Sequence, residues 1–266
     1  MSGVNVRQFI VRSNLMPSNM MQSNMMQSNK IRLICFSGID GAGKSTQIEA
    51  LQAHLRALGF RSALYTFWDN VVVLPHLREH LSFKAFKGDK GVGSPDQPIV
   101  RRDKNVTSWY ILAVRFFLYL LDAYSLRVAV SGGSAADVDF IIFDRYIYDE
   151  LANLPLHRRL VRFYVSLILH LTPRPDVAYV VDADPEAAHA RKPEYPLEFV
   201  RANRDAYITL SRLAGSLTVL APRSVEETAN LVKASVAKHC LQTDFGPVDF
   251  SLQCSAAPQQ AKNSTA

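Results

Sequence analysis

The sequence predicts an α/β domain in which a five-stranded parallel sheet is covered by helices on both faces. Three observations lead to this prediction. Short apolar runs of strand length alternate with longer helical patterns, which is typical of parallel sheets packed between helices. The first apolar run leads directly into a glycine-rich turn and a helix-forming stretch. A chain of 266 residues that is 48% hydrophobic and 20% charged can also bury a core of this size.

Five strands are predicted over short, mainly apolar stretches: 31–36, 61–67, 138–143, 177–182 and 217–220. Helices are predicted from their periodicity over 44–58, 75–86, 107–130, 157–171, 196–213 and 225–240. The stretch 107–130 is apolar on nearly all sides, so we expect this helix to be buried among other elements.

The two ends of the chain are expected to lie outside this domain, which we place at residues 31–240. Residues 1–30 lack acids and contain the near-repeat MPSNMMQSNMMQSN, which favours a disordered extension, with an organelle transit peptide as the alternative. The tail 241–266 is polar and aperiodic, so we expect it to be disordered. Residues 87–105 are rich in glycine, proline and charge, and are expected to be either mobile or functional.

The composition indicates which ligands the protein can bind and in which cellular compartment it is expected. The net charge is +6, but four basic residues precede the first acid, so the rest of the chain carries only +2. This balance is weak evidence for phosphate ligands and does not favour nucleic acid. The three cysteines (Cys35, Cys240 and Cys254) lack metal-ligand spacing, which indicates a reducing compartment, and we predict the cytoplasm. With no uninterrupted apolar run of about 18 residues, no membrane span is predicted.

A phosphate-binding motif follows the first predicted strand. Residues 38–46 match G-x-x-x-x-G-K-[ST]: Gly38, Ile39, Asp40, Gly41, Ala42, Gly43, Lys44, Ser45 and Thr46. Glycines let backbone N–H groups turn towards a phosphate, and the following helix directs its positive end at the same anion. The motif therefore predicts a nucleoside triphosphate site, with Lys44 on the β- and γ-phosphates and Ser45 on Mg²⁺. The alternative is a chance match in a glycine-containing turn.

A second group of polar residues follows the strand predicted at 138–143. Asp144 can accept a hydrogen bond from a magnesium-bound water, and Arg145 can clamp a phosphate with two N–H groups. The alternative is a strand-end turn in which Asp144 caps a helix and pairs with Arg145. Within the apolar helix 107–130, Arg115 and Asp122 lie on one stripe and either pair with each other or face a ligand.

These motifs resemble the thymidylate kinase family of P-loop nucleoside monophosphate kinases. The resemblance rests on GIDGAGKST at 38–46, on Asp144-Arg145-Tyr146, on PD at 175–176 leading into VDADPE at 181–186, and on Phe199 with Arg204 and Tyr207. It implies a P-loop three-layer fold and transfer of the γ-phosphoryl group of ATP, with Mg²⁺, to a deoxynucleoside monophosphate, here dTMP. It also implies a homodimer.

The resemblance assigns roles to individual residues. Asp40 would contact the acceptor sugar, Arg145 with the adjacent Tyr146 would hold the acceptor, and Arg115 would reach its base. Arg191, with Lys192, would belong to a short lid that brings positive charge to the transferring phosphoryl group. The alternative for this basic pair is an ordinary helix end.

Several positions depart from the family pattern near the expected acceptor site. Phe67-Trp68-Asp69-Asn70 replaces the usual Arg-Glu-Pro-Gly, Asp149 replaces a serine, and Val114 replaces an acid. The lid is also short. Two alternatives therefore stay open: a kinase of another small acceptor, or a switch module that binds ATP without transferring its phosphate.

Overall fold

The computed structural model describes residues 31–72, 109–131 and 138–241. Four predictions lie outside the described residues: the extension 1–30, the helix 75–86, the segment 87–105 and the tail beyond 241.

Five parallel strands form one sheet in the order β2-β3-β1-β4-β5, which confirms the predicted α/β class. They are β1 (Arg32–Ser37), β2 (Ser62–Thr66), β3 (Phe140–Asp144), β4 (Val177–Val181) and β5 (Leu217–Leu220). The central strand β1 is buried along all six residues, as is expected of a strand covered on both faces.

Eight α-helices lie in the described ranges: α1 (Lys44–Ala57), α2 (Phe67–Asn70), α3 (Trp109–Ser131), α4 (Ile147–Leu151), α5 (Arg159–Leu171), α6 (Pro185–Arg191), α7 (Leu197–Ala214) and α8 (Val225–Val236). A π-helical turn, Ala237–Leu241, extends α8. The predicted helices over 44–58, 107–130, 157–171, 196–213 and 225–240 match α1, α3, α5, α7 and α8 with its extension. The short helices α2, α4 and α6 were not predicted, because four to seven residues are too few to establish a helical period.

The helices form two layers, one on each face of the sheet. Helices α1 and α8 pack together on one face, where the Tyr179 hydroxyl of β4 donates to the Val232 carbonyl of α8 at 3.4 Å. Helices α3 to α7 pack on the other face, over a core that includes Cys35, Phe143 and Ile168. The result is a three-layer sandwich of the P-loop type.

The prediction that α3 is buried on nearly all sides is wrong. Side chains along one stripe of this helix are exposed to solvent: Val114, Phe117, Leu120, Tyr124 and Val128. Only the opposite stripe, with Tyr119, Asp122 and Leu126, is buried. Within the described residues, no helix combines the length and hydropathy that a bilayer span requires.

The parallel register brings the carboxyl ends of the strands to one edge. Phe36 of β1 and Thr66 of β2 both pair with Asp144 at the end of β3, and Val181 of β4 pairs with Leu220 of β5. The loops that follow β1, β3 and β4 therefore meet at this edge, which is where ligands bind in open sheets of this kind.

Candidate functional site

The loop between β1 and α1, residues 38–43, is called the glycine loop here. Two of its glycines admit no side chain. Gly38 has φ 135°, and a Cβ there would lie 2.4 Å from the Val181 carbonyl oxygen. Gly41 has φ 81°, and a Cβ would lie 2.3 Å from the Ala188 carbonyl oxygen. The loop is thus packed against the end of β4 and against α6, and the space available there requires glycine at positions 38 and 41.

The glycine loop ends at the amino terminus of α1. Gly43 is the N-cap residue, with φ 94° and no side chain to accept from the first amides of the helix. Ala42 donates its N–H to the Ile39 carbonyl at 3.3 Å, which closes the loop into a turn. Since the first four N–H groups of a helix lack intrahelical acceptors, this edge offers a cluster of donors beside the exposed side chains of Ser45 and Thr46.

Lys44 is buried and folds back over the glycine loop. Its Nζ donates to the Gly38 carbonyl at 2.8 Å and to the Ile39 carbonyl at 2.9 Å, and lies 3.9 Å from Asp40 Oδ1. Burial and the nearby Arg145 guanidinium lower the pKa of Lys44 to about 8, although Asp40, Asp149 and Asp144 act in the opposite direction. The ammonium is therefore held at the loop but is only moderately stabilised there.

Asp144 ends β3 on the same edge, and one of its carboxylate oxygens is unsatisfied. Oδ1 is buried and has no hydrogen-bond partner within the described residues. An unpaired buried carboxylate oxygen is costly, so it marks a place where a ligand or water can be accommodated.

Arg145 pairs with Asp40 and Asp149, and no ion pair with Asp144 occurs among the described contacts. One guanidinium nitrogen contacts Asp40 Oδ1, and the other lies 3.3 Å from Asp149 Oδ1. The pKa of Arg145 is raised: burial alone would lower it, but the Asp149 and Asp40 carboxylates outweigh that effect. Its backbone has φ 68°, an uncommon conformation for a residue with a side chain. The predicted acceptor residues Asp40 and Arg145 are thus in direct contact.

Asp149 forms a buried network that the sequence did not predict. Its carboxylate accepts from the Ser37 hydroxyl at 2.6 Å, the Tyr207 hydroxyl at 2.7 Å and the Tyr146 N–H at 3.1 Å, in addition to Arg145. Burial and the adjacent Asp149 raise the pKa of Tyr207. The only signal in the sequence was the replacement of the family's serine by an acid at this position.

Among the described contacts, the predicted substrate residue Tyr146 joins this network through its backbone N–H and not through its side chain. The Tyr146 ring is completely buried, and its hydroxyl donates to the Pro173 carbonyl at 2.7 Å, so it contributes to packing. Arg115 is half-buried on α3. Asp122, on the same helix, is fully buried and contributes to raising the pKa of Tyr164 on α5, where burial is the larger cause. The substrate roles of Tyr146 and Arg115 stay predictions.

An open cleft of about 180 Å³ adjoins the glycine loop. Its lining includes Ala42, Gly43, Asp182, Arg191 and Arg223. Typical enclosed ligand pockets measure roughly 300–1,000 Å³, so this cleft suits one end of a ligand that extends beyond it.

Of the two basic residues predicted in a lid, Arg191 and Lys192, only Arg191 lines this cleft. Arg191 is the last residue of α6 and is exposed, whereas the Lys192 ammonium lies 3.3 Å from Glu194. Asp182, also in the cleft, accepts two bonds from Arg204 of α7, at 2.6 and 2.7 Å. This pair joins the end of β4 to α7.

No protein-family model matches the chain. The chain is 26% identical over 211 residues to a curated protein of Methanothermobacter thermautotrophicus named "Probable thymidylate kinase". The aligned region covers 77% of this chain and 94% of that protein. The chain is therefore similar to nearly the full length of a protein with that name.

Proposed function

We propose that this protein is an ATP-dependent nucleoside monophosphate kinase whose preferred acceptor is dTMP. The observation that carries the proposal is the meeting, at one edge of the sheet, of an uncapped glycine loop, Lys44, an unsatisfied Asp144 oxygen and the Asp40–Arg145 pair. The name of the similar protein supports a nucleotide kinase.

The proposed ATP site consists of the glycine loop and the start of α1. Backbone N–H groups of residues 38–46 would bind the phosphates, assisted by the positive end of the helix. Lys44 would exchange the carbonyls of Gly38 and Ile39 for the β- and γ-phosphates, a change favoured by their stronger negative charge. The rest of the ATP molecule would then extend into the cleft beside Ala42, which Arg191 and Arg223 also line.

The residues at this edge fit a magnesium ion. Magnesium prefers oxygen ligands and keeps several waters. The exposed Ser45 hydroxyl would bind it directly, and the unsatisfied Asp144 oxygen would accept from one of its waters. When bound, Mg²⁺ neutralises phosphate charge and orients the γ-phosphoryl group.

The proposed acceptor site contains Asp40 and Arg145. A monophosphate that binds Arg145 would take the place of Asp40 on the guanidinium, and the released Asp40 carboxylate could accept from the acceptor's sugar hydroxyl. Arg191 would supply positive charge to the transferring group, because the glycine loop contains no arginine. Catalysis of this kind depends on positioning and charge neutralisation.

A homodimer is part of the proposal. The exposed apolar stripe of α3 supports it, since such a stripe is costly in water, and α5, which packs beside α3, adds exposed Leu160, Phe163 and Leu167. Self-association would cover this surface.

The test is ADP release from Mg-ATP by the full-length protein with dTMP, dUMP, dCMP, dGMP and deoxythymidine as acceptors. We expect the highest kcat/KM with dTMP. Lys44→Ala should abolish transfer to every acceptor, whereas Arg145→Ala should mainly raise the KM for the acceptor. Arg212→Ala, an exposed arginine of α7, is the matched control and should behave as wild type.

Two results would contradict the proposal. Preference for deoxythymidine over every monophosphate would indicate a nucleoside kinase. Tight ATP binding without transfer to any acceptor would indicate a switch module.

A further inference from the structure

Asp149 is a buried carboxylate directly beside the proposed acceptor site. It lies in the first turn of α4, its side chain is 5% exposed, and it follows Arg145 by four residues. Four donors converge on its two oxygens: Ser37 and the Tyr146 N–H on Oδ2, Tyr207 and Arg145 on Oδ1. An ionised carboxylate offers about four acceptor positions, so its capacity is filled.

The surroundings of Asp149 require both its charge and its two oxygens. A buried carboxylate is tolerated only when it is paired and hydrogen-bonded, and here Arg145 supplies the charge. A serine in the same place has a single hydroxyl and could not satisfy the same donors. The Tyr146 N–H and the Arg145 guanidinium can only donate hydrogen bonds. In Asp149→Asn, one carboxylate oxygen is replaced by an amide nitrogen, which is also a donor and cannot accept from them.

The two carboxylates on Arg145 differ in their exposure to solvent. The Asp40 side chain is 17% exposed, and Arg145 itself is 29% exposed. Asp149 is more deeply buried and is fixed by three donors besides the arginine. An anion that arrives from solvent therefore competes with Asp40 first, while Asp149 keeps its contact with the guanidinium.

Asp149 also connects Arg145 to distant parts of the fold. Ser37 is the last residue of β1 and precedes the glycine loop, while Tyr207 lies on α7. The guanidinium is thereby fixed relative to the loop proposed to hold ATP. Transfer between two bound phosphates depends on such fixed geometry.

We propose that Asp149 is a positioning residue for the acceptor: it holds the Arg145 guanidinium at the end of β3, ready for the acceptor phosphate. This inference rests on the proposed function. It predicts that loss of the Asp149 charge weakens acceptor use while ATP use is retained.

The kinetic test compares Asp149→Asn with wild type, using dTMP and Mg-ATP. We expect the KM for dTMP to rise about tenfold or more, because one of two charged contacts that orient Arg145 is lost. The KM for ATP should stay within about twofold of wild type. Asp149→Glu keeps the charge and should recover part of the loss.

Asp176→Asn is the matched control. Asp176 is also largely buried and accepts from the Leu33 N–H at 2.8 Å, but it lies at the opposite edge of the sheet. The variant Asp176→Asn should lower thermal stability without changing the KM for dTMP relative to the KM for ATP. If Asp149→Asn fails to fold, Tyr207→Phe removes one donor from Asp149 and should shift the KM for dTMP in the same direction, by less.

A chemical readout tests positioning without any acceptor. Phenylglyoxal labelling, followed by mass spectrometry, should modify Arg145 several-fold faster in Asp149→Asn than in wild type, because the Asp149 carboxylate stabilises the charged, unreactive guanidinium. Arg204, which is held by Asp182, is the internal reference and should not change.

The outcomes distinguish the inference from the proposed function. Unchanged labelling of Arg145 would overturn the inference whatever the acceptor, and so would tighter dTMP binding in Asp149→Asn. Faster labelling with an unchanged KM for dTMP would also overturn it. If wild type phosphorylates no acceptor, the proposed function and the acceptor role of Asp149 are both refuted. Faster labelling of Arg145 in Asp149→Asn would then still confirm that Asp149 positions the Arg145 guanidinium.

Discussion

Replacing Gly38 with alanine tests the geometry of the glycine loop. The residue has φ 135°, and an alanine Cβ would lie 2.4 Å from the Val181 carbonyl oxygen. A non-glycine residue in such a backbone conformation costs about 1–3 kcal/mol. Overpacking against neighbouring atoms typically costs a further ~1–3 kcal/mol. The carbonyl cannot turn away cheaply, because Val181 belongs to β4 and pairs with Leu220 of β5.

Gly43→Ala is the matched control. Gly43 has φ 94°, so the backbone cost is similar, but a Cβ there would have no atom of the described residues within 4 Å. We expect Gly38→Ala to lower the free energy of unfolding by about 2–6 kcal/mol, and Gly43→Ala by about 1–3 kcal/mol. The difference isolates the contact with Val181.

Urea unfolding of both variants beside wild type measures this difference, and thermal unfolding checks it. For a domain of this size, each kcal/mol corresponds to roughly 2–4 °C in Tm. Equal stability of Gly38→Ala and Gly43→Ala would refute the reasoning, since it would mean that the loop does not pack against the end of β4.

Three further predictions concern other parts of the protein. The pKa of Lys44 is about 8, and a bound polyphosphate would raise this pKa, so binding at about pH 9 should take up a proton and weaken as pH rises. Calorimetry in two buffers should detect the proton uptake, and Lys44→Met should abolish it. Arg204→Ala removes the two hydrogen bonds that Arg204 donates to the Asp182 carboxylate, so the free energy of unfolding measured in urea should fall by about 1–3 kcal/mol. An unchanged free energy of unfolding would mean that the pair is not maintained in solution. Phe117→Glu places a charge on the apolar stripe of α3 and should prevent self-association. Light scattering should therefore detect a monomer for this variant and a dimer for wild type. A monomeric wild type would contradict the proposed homodimer.

The sheet was predictable because the sequence signal for a buried strand lies within the residues of the strand itself. The strands β1, β3 and β4 contain runs of apolar residues and are buried along nearly their whole length, and such strands need no tertiary knowledge to be recognised. Helix α3 was harder to interpret. Its sequence is apolar all round, yet only one side is buried, and composition alone does not indicate which apolar side a neighbour covers.

The candidate site was predictable only where its residues follow one another in the chain. The glycine loop and the segment at Asp144 were recognised as motifs. The network around Asp149 joins Ser37, 112 positions away, with Tyr207, 58 positions away. Such contacts depend on the order of the strands and on the packing of α7, which a single sequence does not reveal.

Titration of Mg-ATP into the full-length protein tests the central claim, that the glycine loop binds the polyphosphate of a nucleotide. We predict saturable heat for wild type and for Arg212→Ala, and binding that is at least about tenfold weaker for Lys44→Met, which loses the ammonium at the loop. Absence of heat in wild type, or equal affinity in Lys44→Met, would contradict the account.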